Sequence, residues 1–198
     1  MYVWKSGGRH SMLGNVFIFV SLLIILVAMF TTEKWKVWNL ITKQIKNFSD
    51  WETQKPFYWE IAAFFIAPFF LSYGLTSKGA NITNDGEGVL LNIVSIISGL
   101  LISGLIGINS FETKGNKNLI KLIEVASTYM MFSILLTTMI LSTYLIKIFK
   151  LSSINTFIPA INGRQFYNCA ILYLFILYIM NIFLILRKLL QILEEKKK

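Results

Sequence analysis

Apolar residues fall into five long blocks separated by short polar intervals, at about 13–30, 57–75, 89–108, 126–146 and 166–186. Each is close to the roughly 20 residues that cross a bilayer as a helix. The pattern predicts an all-α, polytopic integral membrane helical bundle with four to five transmembrane helices, a single transmembrane domain over 1–198. The third block, Val89 to Ile108, holds no charged side chain. In it Ser95, Gly99, Ser103 and Gly107 recur every four residues, Gly104 lies on an adjacent row and Asn92 one turn earlier. Such a face lets a second helix approach closely, because small-residue packing replaces the hydrophobic drive that joins helices in water. The contact is either with a neighbouring span of the same chain or with a second subunit.

The polar intervals carry patterns of their own. Trp38, Ile41, Ile45 and Phe48 step by three and four, while Lys36, Lys43 and Lys46 fall on other faces. This predicts a short interfacial helix over about 35–48, apolar side down and lysines toward anionic lipid phosphates. In the second block Glu60 stands near the start and Pro68 in the middle, so a bend is expected there. Glu60 is either a hydrated carboxylate at the interface or an intramembrane polar site. The interval 76–88 reads as a connector without calcium-ligand spacing. Before the fourth block, Leu119, Leu122, Ile123 and Ala126 form a stripe with Lys117, Lys121 and Glu124 opposite, a helix projecting into water or lying against a partner. Thr137, Thr138, Ser142 and Thr143 return hydrogen bonds to the turn before them. Asn168 and Asn181 in the last block are placed to bond across helices. Arg187 and Lys188 stop that span, and a basic tail covers 187–198.

Composition agrees with lipid as the solvent. With 55% apolar and only 15% charged residues, the chain has too little polar surface for a soluble globule. Its net charge of +9 comes from cations between the blocks and at the ends. With all five blocks crossing, the positive-inside rule puts the interfacial helix, the start of the fourth helix and the C-terminus in the cytoplasm. Lys5 and Arg9 pull the N-terminus the same way, which leaves a four-span arrangement open. The cations alternate with spans rather than with stacking aromatics, so direct nucleic-acid binding is not expected.

Catalytic patterns are missing. The sequence holds no Ser, His and Asp constellation, no phosphate loop, no HExxH and no CxxC. His10 and Cys169 are the only residues of their kinds, so no cofactor and no metal are expected, and no enzymatic activity.

The run VSIISGLLISGLIGINSFE, followed by NLIKLIEVASTYMMFSILL, resembles small bacterial membrane proteins that accompany anti-phage defence genes, in particular the membrane subunit of the Kiwa system, KwaA. The resemblance covers residues 57–190. It implies a homo-oligomer, a tetramer if Kiwa-like, at the bacterial inner membrane, responding to phage attack and working with a cytosolic effector protein. The basic loops and the Leu119 to Ala126 segment would then contact partner or lipid through Lys36, Lys43, Lys46, Lys117, Lys121, Glu124, Arg187 and Lys188. Such subunits have four spans, one fewer than the blocks counted here. A sensor and scaffold is the expectation; a pore-forming or holin-like effector and a small transporter or accessory subunit are the alternatives.

Overall fold

The structure, a computed structural model, describes residues 37–48, 58–80, 82–110, 116–148 and 163–196. These form five helices: α1 Val37–Lys46, α2 Tyr58–Ser77, α3 Asn84–Asn109, α4 Lys117–Ile148 and α5 Gly163–Lys196. Helices α2 to α5 are each long and apolar enough to cross a membrane. The chain is a multi-pass helical membrane bundle. The block at 13–30 and Lys36 lie outside the described residues.

Helix α2 contains the expected irregularity in a specific form. Residues Ala62–Ile66 make a turn of π-helix immediately before Pro68, which is buried in the first turn of the α-helix that follows. Proline lacks the N–H that closes an ordinary helical turn, and a π-turn is a way to absorb the break without ending the helix.

Helix α3 begins at Asn84, inside the interval read as a connector. The extended Thr83 caps it: its hydroxyl accepts from the Gly86 N–H at 3.1 Å. Asp85 and Glu87 then fall in the first turn, where the helix dipole favours negative charge. Gly86 and Gly88 disguised this start, since glycine is a poor helix former and reads as a turn.

Helix α4 is the central member. It shares its largest interface with α5 and further interfaces with α3 and α1, while α2 packs on α5. Successive spans are antiparallel. Asn109 of α3 meets Ser127 of α4 at one end, and Glu87 meets Lys147 at the other. Phe69 of α2 packs edge-on against Tyr173 of α5, and Ser72 lies 3.6 Å from Cys169.

At 32 and 34 residues, α4 and α5 run to about 50 Å at 1.5 Å per residue, well beyond a hydrocarbon core of about 30 Å. Their excess lies at the same end. There Leu119, Ile123 and Ala126 of α4 pack with Ile185 and Ile192 of α5 in a cluster that also takes in Leu101 and Ile108 of α3. The apolar stripe at the start of α4 thus has its partner within the chain, and Lys117, Lys121 and Glu124 are exposed. Lys43, Lys46, Arg187, Lys188 and Lys196 stand at this end too, against Lys78, Lys147 and Arg164 at the other.

Helix α1 departs from its expected attitude. Its buried side is Val37, Gln44 and, just past its end, Phe48, with Ile41 half-buried; Trp38 is 62% exposed and Ile45 39%. The helix is docked on α4, and the expected stripe is split: Ile41 and Phe48 turn inward with Val37 and Gln44, while Trp38 and Ile45 stay exposed. Two contacts select this face. Phe48 enters an aromatic group with Phe64, Phe65 and Phe132, its ring 5.0 Å from that of Phe64, and Gln44 reaches a buried amide described below.

Candidate functional site

The packed side of α3 runs through Glu87, Leu91, Val94, Ser98, Leu101, Leu105 and Ile108, alternating steps of four and three. This seam meets α4 and α5 and carries two of the bundle's polar groups, at Ser98 and at Glu87. At mid-height, Ser98 Oγ lies 2.6 Å from Thr137 Oγ1 and 3.1 Å from Tyr178 Oη. Tyr178 donates to the Val94 carbonyl at 3.3 Å and Thr137 to the Ser133 carbonyl at 3.1 Å. Tyr178, Ser98, Thr137 and Ser133 are all buried. Three hydroxyl hydrogens therefore serve four contacts. The chain can polarise in either direction, from Thr137 through Ser98 to Tyr178 and Val94, or from Tyr178 through Ser98 to Thr137 and Ser133.

One turn nearer the basic end, Asn181 Nδ2 donates to both the Tyr129 carbonyl and Ser133 Oγ at 2.7 Å. Its Oδ1 accepts from Gln44 Nε2 at 3.0 Å. Asn181 and Gln44 are fully buried, and Gln44 Oε1 has no hydrogen-bond partner among the described residues. Three helices thus converge on one side-chain amide. Each such bond contributes about 0.6 kcal/mol on average between membrane helices, up to roughly 1.7.

At the opposite end Glu87 pairs with Lys147, and the Lys147 ammonium lies 5.3 Å from the Tyr167 ring centroid. The Glu87 side chain is only 4% exposed, against 36% for Lys147. Between this pair and Tyr178 the seam is apolar. A cavity of about 10 Å³ there is lined by Leu90, Leu91, Ile140, Tyr144, Ile171 and Phe175 as well as Glu87, roughly the room that one water needs.

The small-residue strip faces away from all of this. Asn92, Ser95, Gly99, Ser103 and Gly107 are exposed, and a Cβ added at Gly99 or Gly107 would meet nothing within 4 Å. Only Gly104 is packed, 3.5 Å from the Met130 methyl. Ser103 returns its hydroxyl to the Gly99 carbonyl at 3.1 Å. Among the described residues, no neighbouring span of the same chain covers the strip.

Glu60 is exposed beside Trp59, outside the buried network. Of the cationic positions, Lys43 pairs with Glu124 at 3.5 Å, both well exposed, and Lys188 donates to Gln191 Oε1 at 2.9 Å. The sequence marked Asn181, while Glu87, Ser98 and Gln44 were hidden. Ser98 is one row off the small-residue strip, Glu87 looks like loop, and Gln44 is a single amide among lysines. The signal for all three was the α3 seam at alternating steps of four and three, and the amide at the centre of the α1 face.

The class defined by this arrangement is a multi-pass membrane bundle of α-helices with a polar interior. No protein-family model matches the chain, and neither a curated protein nor a solved structure does.

Proposed function

We propose that the chain is a non-enzymatic, oligomeric sensor and scaffold of a bacterial anti-phage defence system, seated in the inner membrane and engaging a cytosolic effector protein. The observation that carries this reading is the paired extension of α4 and α5 beyond bilayer length at the basic end. By the positive-inside rule that end faces the cytoplasm. It presents Lys117, Lys121, Glu124, Arg187 and Lys188 around the exposed apolar side chains of Ile120, Leu190 and Leu193, the mixture of apolar centre and charged rim that protein interfaces use. The resemblance to the Kiwa membrane subunit supplies the biological setting, and the small-residue strip of α3, which no described span covers, supplies a surface for self-association.

Co-purification tests this. The full chain, tagged and expressed from its own operon in a bacterial host, is expected to bring down a soluble neighbour encoded beside it and to protect cells from phage. A chain that purifies alone and leaves plaque counts unchanged would overturn the reading.

A further inference from the structure

We propose that the interface of α3, α4 and α5 is a gated pathway for protons across the membrane. Three observations converge on it. The first is a run of polar groups through the bundle: buried Glu87 with the half-exposed Lys147 at one end, the buried Tyr178, Ser98 and Thr137 hydroxyls of α5, α3 and α4 in the middle, and beyond them Ser133 and Asn181 of α4 and α5, where α1 takes the place of α3. Ionisable groups within a membrane bundle are costly and mark ion and proton routes, and here the Glu87 and Lys147 pair is continued inward by hydroxyl and amide groups. The second is the shortage of hydrogens in the hydroxyl chain, three for four contacts, which lets the chain reverse its polarity without breaking the helices apart. A relay needs that property, and a purely structural set of bonds does not.

The third is that the run is closed at two identifiable places. From Glu87 to Val94 is seven residues, about 10 Å along the helix, and that stretch is walled by Leu91, Ile140, Ile171 and Phe175, with Tyr144 also in the wall, around a space for a single water. An apolar constriction of this kind gates by wetting and drying. At the other side Gln44 of α1 seats its amide on Asn181 and shuts the run off from the basic surface. Helix α1 is only ten residues long, the shortest of the five helices, and is held by Val37, Ile41 and Phe48, the exposed Lys43 and Glu124 pair and this one buried bond, so it is the member that can lift.

With the gap wetted and α1 raised, a proton from the Glu87 side adds to the Glu87 carboxylate, which releases the Lys147 ammonium. It passes to water in the gap. That water protonates Tyr178 Oη as Tyr178 gives its own proton to Ser98, Ser98 to Thr137, and Thr137 to water admitted beside Ser133 and Asn181. One proton enters and one leaves, and the hydroxyls then turn back. Nothing in the route is oxidised or reduced.

The test uses the purified full chain in sealed vesicles of neutral and anionic phospholipid, with an internal pH dye and a potassium diffusion potential as drive. Ile140→Ser combined with Gln44→Ala is expected to raise proton entry at least tenfold over the unaltered chain while trapped calcein is retained. Adding Tyr178→Phe, which removes one oxygen and no bulk, is expected to return entry to the unaltered level. If Ile140→Ser does not fold, Phe175→Tyr puts a hydroxyl in the same gap without opening a hole. The proposal is overturned if the folded double variant conducts no better than the unaltered chain, if Tyr178→Phe leaves its flux intact, or if calcein escapes with the protons. Flux and co-purification are independent measurements, so failure here leaves the scaffold reading standing, and the reverse also holds.

Discussion

Gln44 Nε2 donates to Asn181 Oδ1 at 3.0 Å, tying a ten-residue surface helix to the interior of the last span. The two residues are 137 positions apart in the chain. Around this bond the amide of Asn181 also holds α4, so one side chain fixes the mutual height of α1, α4 and α5.

The cost of removing Gln44 is bounded on both sides. Gln44→Leu strands Asn181 Oδ1, a loss of about 1–3 kcal/mol, yet it also removes the buried, unpartnered Gln44 Oε1. The two partly cancel, and a net loss of about 1 kcal/mol is expected. Phe48→Ala has no such offset, since the ring is 6% exposed within an aromatic cluster, and about 3 kcal/mol is expected by analogy with other buried phenylalanines. Backbone hydrogen exchange of α1 reads both, and the loss of protection should be clearly larger for Phe48→Ala. The reverse order would mean that the amide, and not the ring, anchors the helix.

How far the fold could be read from sequence divides along physical lines. Four of the spans were plain because length and unbroken hydropathy are local properties. The start of α3 was not, because Gly86 and Gly88 look like turn residues until the Thr83 cap is seen. The attitude of α1 was not, because the apolar steps from Trp38 and from Val37 are both periodic, and a bond to Asn181 decides between them. Pro68 announced a bend, although the π-turn that absorbs it depends on packing. Of the candidate site, the small-residue strip was legible as a face and its outward orientation was not. The buried network depends on which rows of three helices meet, and no single row carries that.

The strip makes a prediction that separates fold from assembly. Among the described residues no neighbour lies within 4 Å of a Cβ added at Gly99 or Gly107, so Gly99→Leu with Gly107→Leu costs the packing of the described helices nothing and gains helix propensity of about 1 kcal/mol per site. Unchanged or slightly raised thermal stability is expected in detergent, together with loss of the proposed oligomer in native mass measurement. Gly104→Leu is the opposite control. It must push past the Met130 methyl at 3.5 Å, so stability should fall by about 1–3 kcal/mol. An oligomer that survives the double leucine variant would remove the strip from the subunit contact.

The Glu87 and Lys147 pair is asymmetric. Glu87 is enclosed and Lys147 is partly open to its surroundings. Lys147→Met therefore leaves a buried carboxylate without its counter-ion, which in protein interiors costs about 3–5 kcal/mol. Glu87→Gln leaves an ammonium that can swing outward, so its cost should be smaller, near 1–2 kcal/mol after allowing for that exposure. The double variant Glu87→Gln, Lys147→Met should recover most of the loss. Thermal melts of the three variants in one detergent supply the cycle, and additive losses would show that the two charges do not depend on each other.

The paired extension of α4 and α5 offers the sharpest test of the partner surface. Leu190 and Leu193 are 61% and 54% exposed, past the Arg187 and Lys188 collar, whereas Ile192 between them is 2% exposed against α4. No described residue covers the first two, and with lipid ending at the collar they are open to the proposed partner. Leu190→Glu with Leu193→Glu replaces only surface, and stability should move by no more than about 0.5 kcal/mol per site. Capture of the proposed cytosolic partner should nevertheless fall at least tenfold, because a carboxylate at the centre of an apolar contact loses its water without gaining a mate. Ile192→Glu should instead unfold the extension, seen as loss of hydrogen-exchange protection in residues 117–124 and 187–196. A double glutamate variant that still captures the partner at full yield would place the docking surface elsewhere, on the exposed lysines of α1 or the charged side of α4.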